Sequence, residues 1–443
     1  MDYPVAIIGG GPVGLAAASR LHEEGLPFHL FEQGDVVAPA VRGWGHVRLF
    51  SPWRYLIDDS ARRLLDAEGW VEPDPDEIPL GHEVVARYLE PLARASALAE
   101  HIHLGTRVAA VSRAGLDRVK SPGRAERPFV LDVIDADGRR RQLLARAVID
   151  ASGTWHQPNP LGSTGYWAEG ERELADRIHY GIPDVAGAHR NRYAGRRVAV
   201  VGSGHSAFHV LLDLARLSEE GTEVTWLLRA GGPAFGGEGA DALTERGRLG
   251  QRARALTEAG GVQVVTGFAT RRVVPASDGV TLEAFDGARS PVVDEVVVAT
   301  GYRPDPWITR ELRLDLDPVV EAPARLAPLI DPNLHSCGTV PPHGYRELTH
   351  PERDFYTVGM KSYGRAPTFL LVTGYEQVRS VVKAIAGDLE AAGRVELDLP
   401  ETGVCNVPDP GAALAAVATA AVGAGAVRSA GAGSADGQGG CCG

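Results

Sequence analysis

The sequence has 443 residues, of which 44% are hydrophobic and 23% charged, a composition typical of a globular protein with two or three domains. Its formal net charge of −12 argues against nucleic acid or an anionic membrane as a partner, because both require a basic surface. No cysteine occurs in the first 336 residues, which excludes a disulfide framework, and no basic segment precedes an apolar stretch at the start. We therefore expect a cytoplasmic protein.

A first glycine-rich loop lies between a strand predicted at residues 3–8 and an amphipathic helix. The loop contains Gly9, Gly11 and Gly14 in the spacing G-x-G-x-x-G. These glycines allow a tight turn, the approach of a pyrophosphate to the backbone, and close packing of helix on strand, respectively. The next strand ends in Glu32, where a carboxylate can accept hydrogen bonds from a ribose diol. This order of elements predicts a dinucleotide-binding domain.

A second loop, with Gly202, Gly204 and Ala207, follows a strand predicted at residues 196–201. The strand after its helix ends in Arg229 instead of an acid, and arginine suits the 2′-phosphate of NADPH. The alternative is that Arg229 is a solvated residue at a strand end. The first loop must then bind a different dinucleotide. FAD is the natural candidate, because hydride can pass from nicotinamide to flavin when one chain binds both.

Two β-rich runs that end in small residues, 145–155 and 292–305, flank the second loop. We expect the chain to leave the first domain at the former run and to re-enter it at the latter. The predicted fold class is α/β, with two Rossmann-like dinucleotide-binding domains and the NADPH domain inserted into a discontinuous FAD domain. The predicted boundaries are 1–160 and 291–403 for the FAD domain, 161–290 for the NADPH domain and 404–443 for a flexible tail.

These features resemble the two-dinucleotide-domain flavoproteins and, among them, the class B flavin-dependent monooxygenases. The resemblance rests on the two loops, on the small residues at 152–153 and 299–301, and on a glycine-to-proline pattern over residues 153–160. Residues 333–387 resemble the subset of these enzymes that is associated with arsenic-resistance operons. The resemblance implies that FAD and NADPH are the cofactors. It also implies that reduced flavin adds oxygen to form a hydroperoxide, which oxygenates a soft nucleophile: an arsenic compound, or a sulfur or nitrogen centre.

The chain departs from the family pattern at two motifs. The monooxygenase signature F-x-G-x-x-x-H-x-x-x-[Y/W] would fall just before the second loop, where His189 and Tyr193 keep their spacing but Val185 replaces the glycine. Because the motif does not end in tryptophan, Baeyer–Villiger oxidation is the least favoured activity. The flavin motif of disulfide reductases ends in Gly-Asp, whereas this chain has Gly359-Met360 and no cysteine pair beside the flavin, which argues against a thioredoxin- or glutathione-reductase role.

The flavin ring is predicted to lie near the aromatic stretch 41–58, for which a core loop is the alternative. A helix predicted to begin near Pro367 would direct N–H groups toward the flavin, with Thr368 and Phe369 close to the ring. No residue is assigned as catalytic, because the oxygen chemistry belongs to the cofactor. The predicted cofactor-binding residues are Gly9, Gly11, Pro12, Val13, Gly14, Glu32, Gln33, Trp44, His46, Leu49, Val108, Ser152, Gly153, Gly202, Ser203, Gly204, His205, Ser206, Arg229, Ala299, Thr300, Gly301, Thr368 and Phe369.

Two pairs of histidines have the spacing of metal ligands. His101 and His103 share one face of a predicted strand, but no third ligand is expected nearby, which disfavours a metal site. His205 and His209 share one face of the helix after the second loop. We expect them to line the NADPH side or to pack in the core.

The Ala- and Gly-rich tail ends in Cys441 and Cys442, an adjacent pair that is predicted to bind a soft metal or metalloid ion. Cys337 or Cys405 could supply a third sulfur ligand, and an ordinary terminus with incidental cysteines is the alternative. The oligomeric state that we consider is a homodimer. Two further functions therefore remain open: an NADPH-dependent flavin metal(loid) reductase with a dithiol delivery tail, and a non-enzymatic flavin redox sensor or metalloid-binding protein.

Overall fold

The computed structural model describes residues 3–235, 243–334, 340–367 and 369–397. Thr368 and all four cysteines, including Cys441 and Cys442 of the predicted metalloid site, lie outside the described residues. The strands are β1 (Val5–Ile8), β2 (Phe28–Phe31), β3 (Ile102–His103), β4 (Arg107–Arg113), β5 (Phe129–Ile134), β6 (Arg140–Ala145), β7 (Ala147–Asp150), β8 (Ile178–Tyr180), β9 (Arg197–Val201), β10 (Glu223–Leu227), β11 (Gln263–Val265), β12 (Thr270–Ala276), β13 (Gly279–Ala284), β14 (Glu295–Val298) and β15 (Phe355–Thr357).

The α-helices are α1 (Pro12–Glu23), α2 (Pro39–Gly43), α3 (Asp59–Ala67), α4 (Gly81–Val84), α5 (Glu90–Arg94), α6 (Arg190–Tyr193), α7 (His205–Ala215), α8 (Thr244–Glu258), α9 (Ala327–Ile330), α10 (Leu371–Ala386) and α11 (Leu389–Ala392). A π-helical turn, Val85–Leu89, connects α4 to α5. Within the described residues, no helix combines the length and the apolar character that crossing a membrane requires.

The first sheet consists of five parallel strands in the order β15-β7-β1-β2-β3. Every residue of β1 is buried, as expected for an apolar central strand that is covered on both faces. Val5 and Ile7 pack in one core with α1 and α10, whereas Ala6 and Ile8 pack in another with β4 and β5. The antiparallel sheet β4-β5-β6 therefore covers one face of the first sheet and the helices cover the other.

The second sheet also has five parallel strands, in the order β11-β10-β9-β14-β8. All of them come from the chain between β7 and β15, so the second sheet is inserted into the chain path of the first. The α/β fold with two Rossmann-like sheets predicted from the sequence is confirmed.

One predicted boundary is wrong. The run 292–305 was expected to re-enter the first domain, which would begin again at residue 291. Instead β14, whose four residues are buried, lies between β9 and β8 and pairs in parallel with both. The chain therefore leaves the second sheet only after Val298.

A buried ion network attaches the antiparallel sheet to the loop before β15. The Glu352 carboxylate, which is 2% exposed, accepts hydrogen bonds from Arg113 Nε and from Arg124 NH2, each at 2.7 Å. The Arg113 guanidinium also lies 3.6 Å from the ring centre of Phe129. Burial acts to raise the pKa of Glu352, but the hydrogen bonds from Arg124 and Arg113 outweigh burial and hold this pKa below its usual value.

Candidate cofactor-binding site

A cavity of about 1880 Å³ extends along the carboxyl ends of both parallel sheets. Residues that directly follow β1, β2 and β7 line one part, and residues that follow β9, β10 and β14 line another. The cavity is larger than the roughly 300–1,000 Å³ of a usual small-molecule pocket, and it lies where α/β proteins bind nucleotides. Its size and position fit two dinucleotides that meet in one space.

The first glycine-rich loop is shaped by three glycines with different surroundings. Gly9 has φ +101°, and a Cβ there would lie 2.6 Å from the Ala151 carbonyl oxygen. A Cβ on Gly14 would lie 2.0 Å from the Gly9 carbonyl oxygen, so only glycine lets α1 approach the loop this closely. A Cβ on Gly11 would meet no atom within 4 Å, and Gly11 lines the cavity. The loop thus leaves open backbone at the N-terminus of α1, the arrangement that a diphosphate needs.

Glu32 lies at the end of β2 and is 6% exposed. Its Oε2 accepts a hydrogen bond from the Gly10 N–H at 2.7 Å, and its Oε1 accepts one from the Gly34 N–H at 2.8 Å. Each carboxylate oxygen can accept a further hydrogen bond. Glu32 also lines the cavity, so it fits the two hydroxyl groups of an adenosine ribose.

The second loop repeats this geometry. Gly202 has φ +136°, and a Cβ there would lie 2.4 Å from the Ala299 carbonyl oxygen, whereas a Cβ on Gly204 would meet no atom within 4 Å. Arg229 is exposed at the far end of β10 and lines the same cavity. One of its terminal nitrogens donates to the Ser163 carbonyl oxygen at 3.4 Å. The guanidinium has five N–H donors in a planar fork, which can bind a phosphate group in a bidentate manner.

The segment after β15 approaches the first loop. A 3₁₀ helix, Gly359–Tyr363, brings Met360 and Lys361 to the cavity wall. The helix predicted to begin near Pro367 begins instead at Leu371, after an extended Leu370. The Phe369 ring packs close to Gly374 in the first turn of this helix, where a Cβ would lie 2.8 Å from its Cζ, and its centre lies 5.2 Å from that of the Tyr363 ring.

The cavity gathers most of the residues predicted to bind cofactors, although they are far apart in the chain. Those that line it are Gly9, Gly11, Pro12, Val13, Glu32, Gln33, Trp44, Val108, Ser152, Gly153, Gly202, Ser203, Gly204, His205, Ser206, Arg229, Ala299, Thr300, Gly301 and Phe369.

Three predicted residues do not line the cavity. Gly14 faces the Gly9 carbonyl oxygen instead. Leu49 packs against the core that contains α1 and α10, and its N–H donates to the Pro79 carbonyl oxygen. Among the described atoms the buried imidazole Nε2 of His46 has no hydrogen-bond partner, and the ring contributes to lowering the pKa of His209 on α7. Leu49 and His46 therefore belong to the packing around the cavity.

Two aromatic residues of the cavity wall were not predicted from the sequence. The rings of Trp155 and Tyr302 stack at 5.1 Å between centroids with an interplanar angle of 25°. Trp155 follows the Ser152-Gly153 motif by two residues and Tyr302 directly follows Gly301. Their place next to these two motifs is the signal that could have identified them.

The histidines of both predicted pairs contact aromatic side chains or other histidines. His103 Nε2 lies 2.9 Å from Nδ1 of His29, a neighbour that the sequence did not predict, and the His101 ring centre lies 6.3 Å from that of His29. The described part of the chain contains no group of three side chains arranged to hold a metal ion. His205 and His209 both pack against Phe50, with ring centroids 5.3 and 5.9 Å away.

The signature residues before the second loop also have packing roles. Val185 and Tyr193 are buried in the core that the second sheet shares with α7. The Nδ1 of His189 accepts a hydrogen bond from the Asp184 N–H at 3.0 Å. A side chain in place of the signature glycine is thus accommodated by the core.

The fold and the cavity define an α/β oxidoreductase with two dinucleotide-binding sheets. Residues 6–317 match the pyridine nucleotide-disulphide oxidoreductase family, and the chain belongs to this family. FAD and NADPH are the cofactors of the flavin monooxygenases among its relatives.

Comparisons with individual proteins agree with this family. The chain is 25% identical over 225 residues to flavin-containing monooxygenase 3 of Homo sapiens, a match that covers 50% of this chain and 39% of that protein. The chain thus spans about two fifths of the length of this curated relative. A double mutant of a flavin monooxygenase from Stenotrophomonas maltophilia is 26% identical, with a TM-score of 0.57 over 87% of this chain and 99% of that one. The bacillithiol disulfide reductase of Bacillus cereus, 21% identical with a TM-score of 0.63 over 87% of this chain and 99% of that one, shows the fold alone.

Proposed function

We propose that the chain is an FAD-dependent, NADPH-using monooxygenase that oxygenates a soft nucleophile. The observation that carries this proposal is the single cavity onto which both glycine-rich loops open. When bound, the flavin would accept hydride from the nicotinamide and activate oxygen. The similarity to flavin monooxygenases supports oxygen as the substrate of the second half-reaction.

In this proposal each sheet binds one cofactor. The first loop and Glu32 would hold FAD, and the second loop and Arg229 would hold NADPH, so that residues 1–160 and the chain after Val298 form the FAD domain. The open backbone at Gly11 and Gly204 supports a diphosphate at each loop. The stacked rings of Trp155 and Tyr302 would exclude water from the space between the two cofactors.

The substrate class is part of the proposal. An arsenic compound is favoured over a sulfur or nitrogen centre only by the resemblance of residues 333–387 to the monooxygenases of arsenic-resistance operons. A cytoplasmic location and a homodimer remain predictions from the sequence.

Rapid mixing tests the proposal directly. FAD-loaded protein is reduced anaerobically with NADPH, mixed with oxygen, and followed by flavin absorbance. We expect a blue-shifted flavin band that persists before reoxidation and that decays faster when a trivalent arsenical, a sulfide or an amine is added. Direct reoxidation that no candidate substrate accelerates, with stoichiometric release of hydrogen peroxide, would contradict a monooxygenase.

The reductase alternative depends on the tail. If Cys441 and Cys442 deliver a metalloid ion to the flavin, truncation after Pro400 should abolish metalloid-dependent oxidation of NADPH. If the chain is a monooxygenase, the truncated protein should keep its oxygen-dependent turnover. A redox sensor or a metalloid-binding protein would show no multiple turnover in either form.

A further inference from the structure

A buried ion pair lies at the cavity, and neither of its members was predicted to bind a cofactor. Lys361 is 6% exposed and Asp150, at the end of β7, is 0% exposed. The Lys361 ammonium donates to Asp150 Oδ2 at 2.7 Å and to Ser152 Oγ at 3.0 Å. The other carboxylate oxygen of Asp150 accepts from the Ser152 N–H and hydroxyl group. An ammonium has three N–H donors, so one of them has no partner among the described atoms.

The pair lies directly beside the first glycine-rich loop. A Cβ on Gly9 would lie 2.8 Å from the Cα of Ser152, the residue that contacts the Lys361 ammonium. On the other side, a Cβ on Gly359, which begins the 3₁₀ helix of Lys361, would lie 3.2 Å from a methyl group of Val13 in the first turn of α1. Ser152, which accepts from the ammonium, and Gly359, which begins the 3₁₀ helix of Lys361, thus both pack beside the first loop and α1, and Lys361 itself lines the cavity.

The charges at this end of the cavity are unfavourable for an anion without the lysine. Glu32 and Asp150 are both buried acids, and a diphosphate would add two more negative charges. A lysine also fits the geometry better than an arginine, because its three donors diverge whereas the guanidinium is planar. Only three of the 45 basic residues are lysines, so a buried one at this position departs from the chain's general use of arginine.

We propose that Lys361 is a cofactor-binding residue whose ammonium, oriented by Asp150 and Ser152, donates its third hydrogen bond to the diphosphate of FAD. This inference rests on the proposed placement of FAD at the first loop. Asp150 is then a positioning residue, since it fixes the ammonium and does not itself face the anion.

The test is the dissociation constant of FAD, measured from the recovery of flavin fluorescence when FAD-loaded protein is diluted. Lys361→Met should weaken FAD binding about 10- to 100-fold, the usual effect of losing a hydrogen bond between charged groups. The double variant Asp150→Asn with Lys361→Met removes both charges. It should still bind FAD more weakly than the wild type if the lysine contacts the cofactor, although loss of the Asp150 charge relieves part of the repulsion that Lys361→Met leaves behind. Recovery of wild-type affinity in the double variant would overturn the proposal, because the lysine would then only neutralise Asp150.

Two further variants complete the experiment. Lys383→Met is the matched control. Lys383 lies near the C-terminal end of α10, forms an ion pair with Glu24 and does not line the cavity. It should leave FAD binding unchanged. Glu32→Gln tests the premise: if it leaves the FAD affinity unchanged, FAD does not lie at the first loop and the placement itself fails. If Glu32→Gln weakens FAD binding but Lys361→Met does not, only the role of Lys361 is overturned.

Discussion

Arg229 is the residue on which the predicted preference for NADPH over NADH depends. It is exposed at the cavity edge and is held by a contact of 3.4 Å to the Ser163 carbonyl oxygen. Arg229→Ala should raise the KM for NADPH about 10- to 100-fold, because a hydrogen-bonded ion pair with the 2′-phosphate is lost. The KM for NADH should change little. The rate of anaerobic flavin reduction at varied NADPH and NADH concentrations measures both values.

Arg248→Ala is the control for this substitution, because Arg248 pairs with Glu245 on α8 and does not line the cavity. It should leave both KM values unchanged. An equal rise in the KM for NADPH and for NADH in Arg229→Ala would show that Arg229 does not distinguish the two nucleotides.

Among the secondary-structure elements, the antiparallel sheet β4-β5-β6 depends on the buried carboxylate of Glu352. Glu352→Gln leaves Arg113 and Arg124 without their negative partner, and this should lower the free energy of unfolding by about 3 kcal/mol at neutral pH. The pKa of Glu352 is lowered in the folded protein, so its contribution is complete above the unfolded pKa and is lost as the pH falls through the folded pKa. The difference between wild type and variant should therefore shrink below about pH 4.

Urea unfolding at several pH values measures this difference. Glu390→Gln is the control, because the Glu390 carboxylate is 82% exposed in its pair with Arg394. A constant difference between wild type and Glu352→Gln at all pH values would contradict an ionised Glu352 as its cause.

The elements that could be predicted are those whose residue pattern is contained in one short stretch of the sequence. The strands and helices around Gly9 and Gly202 were predicted because glycine spacing and apolar runs act within one stretch of chain. The position of β14 in the second sheet was not predicted, because its pairing with β9 joins residues about 100 positions apart. For the same reason the contact between Asp150 and Lys361, which are 211 residues apart, has no signal in either local segment.

At the scale of the whole molecule, Phe50 joins the two halves of the protein. It comes from the chain between β2 and β3 of the first sheet, yet it packs against the core of the second. Its ring contacts His205 and His209 on α7. The Nε2 of His209 is buried and has no hydrogen-bond partner within the part of the chain that the structure describes. Burial, together with His205 and Arg252, lowers the pKa of His209 to about 4.

This contact should make the folded protein sensitive to acid. An imidazole whose pKa is near 4 in the folded state and about 6.5 in the unfolded state contributes fully to stability above pH 6.5 and loses that contribution as the pH falls toward 4. Between pH 7 and pH 5 the loss from His209 amounts to about 2 kcal/mol. His209→Leu keeps an apolar contact with Phe50 and cannot be protonated, so it should remove most of this loss.

The free energy of unfolding in urea, measured across this pH range on the FAD-loaded protein, checks the prediction. Some acid sensitivity should remain in the variant, because burial also lowers the pKa of His179 and of His350 to about 4. The control is His22→Leu, since His22 is exposed on α1 and its substitution should leave the wild-type pH dependence in place. If His209→Leu keeps the full wild-type slope, the pKa of His209 does not differ between the folded and the unfolded protein. The contact with Phe50 would then hold the two sheets together at acidic and neutral pH alike.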